Sequence, residues 1–131
     1  MLQQGVSRGA AFGDIDNDGD VDILINVNSG PARLLLNEHP ARNWLAVAID
    51  GPGLGWGTRV EVKAGGLPAQ VRWVQTDASY LSASDARVSF GLGSAARVES
   101  IKIEPRDAPA RIISGDGVKI NSILRIPTPS R

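Results

Sequence analysis

Asp14, Asp16, Asp18, Asp20 and Asp22 occupy every second position of the nine-residue stretch Asp-Ile-Asp-Asn-Asp-Gly-Asp-Val-Asp. Carboxylates this close repel one another by kilocalories unless a cation sits among them. Counted as a loop, the run puts side-chain oxygens at positions 1, 3, 5 and 9, with Gly19 at position 6 for a sharp turn and the Asp20 carbonyl available at position 7. Ca²⁺ takes six to eight hard oxygens at about 2.3–2.6 Å, and alternate side chains from a tight turn converge on such an ion without long-range help. Asp14, Asp16, Asp18 and Asp22 are therefore candidate side-chain ligands, with the Asp20 carbonyl as a fifth. Magnesium demands stricter octahedral geometry, and transition metals prefer nitrogen or sulfur, of which the chain offers one His and no Cys. An EF-hand would carry a bidentate Glu at position 12 of the loop, where Ile25 stands here. The bland alternative is a solvated acidic turn.

A second set of residues could recognise sugars. Trp56, which sits between glycines, Trp73 and Tyr80 could offer aromatic faces, and Asp77 and Asp85 could accept hydroxyl hydrogen bonds. The same two carboxylates could instead be the acid and base of a glycosidase, if they stood about 5–9.5 Å apart. Trp44 and Trp73 are expected in the core, since large aromatic side chains usually bury. Other catalysis finds little to work with: there is no thiol, and His39 is the single imidazole. We therefore expect a non-enzymatic chain. Eleven of the 14 basic residues are Arg, but they are scattered, whereas nucleic-acid binding needs a dense basic patch.

These residues must be positioned by short elements. The 131 residues are 42% hydrophobic, enough for a core, and 15 Gly with 8 Pro argue for a turn-rich all-β fold over a helical bundle. After the Asp run, residues 21–27 read as a β-branched strand and residues 33–37 as its partner. The Pro-marked stretch 38–42 reads as a linker, so units 1–40 and 41–131 are expected. Leu45, Val47 and Ile49 alternate before the glycine loop 51–57. Val60 and Val62 follow, and Gly65-Gly66 turns the chain toward residues 70–74. Val88, Phe90 and Leu92, then Ile101 and Ile103, Ile112-Ile113, and residues 120–126 complete the count. The expected core comprises Val47, Val60, Val62, Val71, Phe90, Ile101 and Ile103, and residues 80–85 read as a side-chain-bonded turn. Turns every 8 to 12 residues or so suit a β-sandwich or barrel-like domain. Net charge is zero, yet residues 1–40 carry two basic against six acidic side chains, so the first unit stands at −4 and the second at +4. Forty residues cannot bury a core alone, so Val21, Ile23, Ile25 and Leu35 should dock on the second unit or on another chain. No apolar run approaches the length of a membrane helix, and no signal peptide is visible.

Ala11-Phe12-Gly13 followed by the Asp run resembles the FG-GAP (VCBS-type) repeat of integrin-like β-propellers, over residues 8–37 or so. In that family the metal staples the loop of a blade, and a propeller needs several blades to close. From Asn43 onward the chain resembles the ASPIC/UnbV domain that follows such repeats in cartilage acidic protein-like and bacterial secreted proteins. The match is carried by Asn43-Trp44-Leu45-Ala46-Val47, Gly57-Thr58-Arg59-Val60-Glu61-Val62, Tyr80-Leu81-Ser82-Ala83-Ser84-Asp85 and Val88-Ser89-Phe90-Gly91-Leu92-Gly93. Where that family usually has a Trp-Pro-Ser-Gly turn, this chain has Glu104-Pro105-Arg106-Asp107. Together the resemblances imply a calcium-loop β-hairpin, a single propeller-type repeat, packed on a β-domain at the C-terminal end of a larger protein. They further imply a secreted or cell-surface location and adhesion to an extracellular protein or glycan, with no membrane insertion and with self-association through the calcium hairpin.

Overall fold

A computed structural model describes residues 5–39, 42–51 and 55–127. Pro40 and Ala41 of the expected linker and residues 52–54 of the expected glycine loop lie outside them. Among the described residues there are twelve strands and no α-helix. In chain order they are β1 (Ser7–Gly13), β2 (Asp22–Val27), β3 (Arg33–Leu35), β4 (Asn43–Asp50), β5 (Arg59–Ala64) and β6 (Gln70–Trp73). These are followed by β7 (Asp77–Ser79), β8 (Ser82–Ala83), β9 (Val88–Gly93), β10 (Val98–Glu104), β11 (Arg111–Ser114) and β12 (Ser122–Pro127). The fold is all-β and its sheets are open. β1-β2-β3 form one antiparallel sheet, β11-β10-β5-β6 a second, β12-β4-β9 a third, and β7-β8 a small hairpin.

One core joins the second and third sheets. Leu45, Val47 and Ile49 of β4, Val88, Phe90 and Leu92 of β9, and Ile126 of β12 meet Val60, Val62, Ile101 and Ile103 of β5 and β10 in a single buried cluster. Alternation dictates this for β5, β9 and β10, whose apolar residues fall on one face. β4 is different. It lies between β12, paired in parallel, and β9, paired antiparallel, and its six interior residues are all buried. The small Ala46 and Ala48 occupy the face opposite Leu45 and Val47.

Val71 departs from the expected core. In the β5-β6 pair, Val60 lies opposite Arg72, Val62 opposite Gln70, and Glu61 opposite Val71. Directly opposed residues share a face, so Gln70 and Arg72 take the core side and Val71 the outer side, where it is only half-buried. Arg72 lies 5.8 Å from the centroid of the Phe90 ring, and the Gln70 amide donates to the Gly91 carbonyl at 2.7 Å. Trp73, opposite Arg59, follows Val71 to the outside and is 55% exposed rather than buried. That outer face carries an ion-pair cluster: Arg59 pairs with Glu104 and Glu61, and Lys102 with Glu104. The Lys102 ammonium and the Arg59 guanidinium hold the Glu104 carboxyl below the ordinary carboxylate range.

The first sheet meets the rest along β1. The Asp85 N–H donates to the Phe12 carbonyl at 2.8 Å, and the Ala10 and Phe12 N–H groups donate to the Ser79 and Ser84 hydroxyls at 3.2 Å. Of the four residues expected to dock, Ile23 and Ile25 are half-buried while Val21 and Leu35 stay exposed, because the junction is made by the β1 edge rather than by a sheet face. The 80–85 stretch turns as expected: the Ser82 hydroxyl donates to the Tyr80 carbonyl at 3.0 Å, with Leu81 at positive φ.

Phe90 is fully buried between the two larger sheets. Phe90→Ala should cost about 3–5 kcal/mol in urea unfolding, as truncation of a buried aromatic does. A loss below about 1 kcal/mol, typical of surface positions, would show that this strand's inner face has been misassigned.

Candidate metal centre

The aspartate loop begins where β1 ends and is closed by its own carboxylates. Asp14, 4% exposed, accepts the Asp18 N–H on Oδ1 and the Gly19 N–H on Oδ2, both at 3.1 Å. Asp18 Oδ1 accepts the Asp20 N–H at 2.9 Å. Asp22, 1% exposed at the start of β2, accepts the Asn37 N–H at 2.9 Å and the Ile15 N–H at 2.8 Å. These two donors hold its carboxyl below the usual range. Asn17 and Gly19 both take positive φ, which lets so short a segment fold back on Asp14.

One carboxylate oxygen from each of Asp14, Asp16 and Asp18 lies within 4.8 Å of the others. Two oxygens on opposite sides of a single calcium-sized ion are about 4.6–5.2 Å apart, so the three can share one divalent cation. The donors are all hard oxygen. The Asp16 carboxyl is pushed above its usual range, first by loss of water around it and then by the charges of Asp18 and Asp22. Asp20 Oδ2 is buried with no hydrogen-bond partner among the described residues. Both observations describe negative charge that a cation would relieve. Asp22 turns its two oxygens to the backbone, and the three-carboxylate group does not include it or Asp20.

Two contacts that no sequence spacing announces tie this loop to the rest of the chain. Arg87, just before β9, donates to the Asn17 side-chain oxygen and the Asp14 carbonyl, each at 2.6 Å, while its guanidinium pairs with Asp85. The Asp85 carboxylate keeps the Arg87 pKa above its ordinary value. Trp44, the second residue of β4, lies against Gly19, where an added Cβ would fall 2.2 Å from the indole Cδ1. The expected burial of Trp44 holds, and its partner is the aspartate loop.

The sugar candidates separate. Trp56 and Asp77 line one shallow cavity of about 340 Å³ together with Gly57, Trp73, Val74, Gln75 and Arg106. Tyr80 projects from the tip of the β7-β8 turn, 72% exposed, and Asp85 is engaged with Arg87 beneath the aspartate loop, so neither lines that cavity. Trp73, a candidate stacking face but expected in the core, is turned outward by the β5-β6 register, and no spacing in the sequence singles out Gln75 or Arg106 for this cavity.

The ASPIC and UnbV family profile matches residues 51–131, more than half of the chain. The chain belongs to the ASPIC and UnbV family. The match takes in β5 to β12 and the aromatic cavity, and stops short of the aspartate loop. No curated protein matches the chain. Among the described residues of this ASPIC and UnbV chain, no helix is long and apolar enough to cross a membrane.

Gly19→Ala tests the seat of the loop. With φ at 100° and the indole in the way, the variant should lose about 2 kcal/mol or more in urea unfolding, from strain and overpacking combined. A neutral result would mean that the loop does not rest on Trp44.

Proposed function

We propose that this ASPIC and UnbV chain is a non-catalytic, calcium-stabilised binding or adhesion module that works outside the cell. The observation that carries the reading is the convergence of Asp14, Asp16 and Asp18 on a span that one calcium-sized ion fills. Asp20 and Asp22 add to the negative charge around it. Millimolar free calcium, typical outside cells, saturates even weak sites of this class. Calcium then fixes the loop, and Arg87 and Trp44 pass that order to the β-domain.

In this reading residues 1–40 are one FG-GAP-type unit of a larger propeller-bearing protein and residues 41–131 form a β-sandwich-like domain. Support comes from the first sheet, which leaves apolar residues open on both faces: Leu24 beside Leu34 on one, Phe12 and Leu35 flanking Ile23 on the other. A sheet of this kind gains stability from neighbours on either side. In the isolated chain those faces favour self-association, which sedimentation across a concentration series reads directly. A monomer at every concentration removes that part of the reading.

Calorimetric titration with Ca²⁺ should give a saturable heat and a rise in melting temperature. A free concentration about a hundredfold above Kd adds about 2.7 kcal/mol, several degrees for a chain of this size. Asp16→Asn should abolish most of the rise without lowering stability in chelator, because Asp16 is exposed and crowded by like charge. Asp116→Asn, in a distant turn, should leave the rise intact. No heat and no rise would sink the proposal, and an equal rise with Mg²⁺ would remove its calcium specificity.

A further inference from the structure

The cavity beside β6 has no part in the metal centre, and its walls are unusual for this protein. Trp56 and Trp73 are 62% and 55% exposed, a large apolar area to leave in water twice in one place. The polar groups between them are idle. Gln75, Asp77 and Arg106 make no side-chain hydrogen bond or ion pair among the described residues, and neither indole N–H has a partner there. On the neighbouring outer face of the sheet the charges of Arg59, Glu61, Lys102 and Glu104 are all paired. The contrast is local and chemical.

The cleft is also held in shape. The Gly57 N–H donates to the Val74 carbonyl, the Val74 N–H to the Thr58 carbonyl, and the Thr58 N–H to the Gly55 carbonyl, each at 2.9 Å. Thr58 and Val74 are buried. This ladder fixes the backbone on both sides of the cavity, so ordering Trp56 against Trp73 costs a ligand little.

We propose that this cleft is a carbohydrate site that takes a pyranose ring carrying free hydroxyls. A sugar ring presents an apolar C–H face to an indole and a rim of hydroxyls to its surroundings. Asp77 accepts from two of them, Arg106 donates to hydroxyl or ring oxygens, and Gln75 does either. Other ligand classes match less of the wall. A purely apolar molecule would strip water from the carboxylate, amide and guanidinium and return nothing. A small anion would find Arg106 but face Asp77, and has no use for two indoles. The cavity of about 340 Å³ lies at the small end of ligand sites, the scale of a ring or two rather than of a protein surface. The inference rests on reading the chain as a binding module and names what it binds.

The test follows the indole N–H resonances of the three Trp residues in the ¹⁵N-labelled full chain with calcium present. The probes are glucose, galactose, mannose, N-acetylglucosamine and glucuronate, each as the free sugar and as a linked dimer, with phenol as an aromatic lacking a hydroxyl array. At least one sugar probe should shift the Trp56 and Trp73 signals saturably and leave Trp44 in place. Trp56→Ala and Trp73→Ala should each weaken that binding by roughly tenfold, the worth of one stacking face, and Asp77→Asn by a similar factor. Melting temperature should hardly change, since all three side chains are exposed. Silent indoles with every sugar overturn the proposal. So does binding that survives both Trp56→Ala and Asp77→Asn, or phenol binding as tightly as the best sugar. The calcium reading fails instead through the absence of a metal-dependent rise in melting temperature, so the two failures are told apart.

Discussion

Crowding five aspartates into residues 14–22 creates a repulsion that the fold must answer, and much of the N-terminal architecture consists of that answer. The protein supplies N–H groups first. Asp14 and Asp22, the two buried members, each accept two backbone N–H bonds, so the carboxylates taken out of water are also the ones best provided with donors. Asp22 does more than neutralise itself, because its partners Ile15 and Asn37 lie on opposite sides of it in sequence. One carboxylate thereby ties the loop to the segment after β3. What the backbone cannot supply is positive charge for Asp16, Asp18 and Asp20. A divalent cation is able to supply it, because one carboxylate oxygen from each of Asp14, Asp16 and Asp18 converges on a common span.

Arg87 gives a partial substitute from the other half of the chain. Its guanidinium reaches the loop through a side-chain amide oxygen and a main-chain carbonyl while its own charge is matched by Asp85. It thus orders the loop without occupying the place of a metal among the carboxylates. Trp44 works by shape instead, since only a residue without a Cβ can sit so close to the indole. The glycine that a calcium turn wants at that position is therefore also the glycine that β4 needs for a neighbour.

Legibility in the sequence followed the range of the interaction. Strands with clean alternation, such as Val88, Phe90 and Leu92, were readable because a period of two needs no knowledge of partners. The acidic spacing was readable because a tight loop makes its own site. β1 escaped notice because Arg8-Gly9-Ala10-Ala11 has neither branched residues nor alternation; it is a strand because β2 pairs with it and Ser79 and Ser84 hydroxyls meet it. Val71 and Trp73 went to the wrong face because register belongs to the pair β5-β6, and a shift of one residue exchanges every side chain. Arg87 and Trp44 reach the loop across 73 and 25 positions respectively, distances at which spacing carries no signal.

The register that turned Trp73 outward also explains why an open cleft forms at β6. β6 is an edge strand of four residues, and its core-facing positions are Gln70 and Arg72, which cap Phe90 with polar ends in place of apolar bulk. Such an edge resists addition of a further strand by being short and charged. With the polar residues of β6 spent on the inner face, its large aromatic residue is left for the outer one, beside a turn that presents a second indole. The core then needs nothing from Trp56, Trp73 or Asp77, since Val74 and Thr58 already close the end of the strand from within. Trp56, Trp73 and Asp77, on which packing makes no demand, therefore gather at the cleft beside β6.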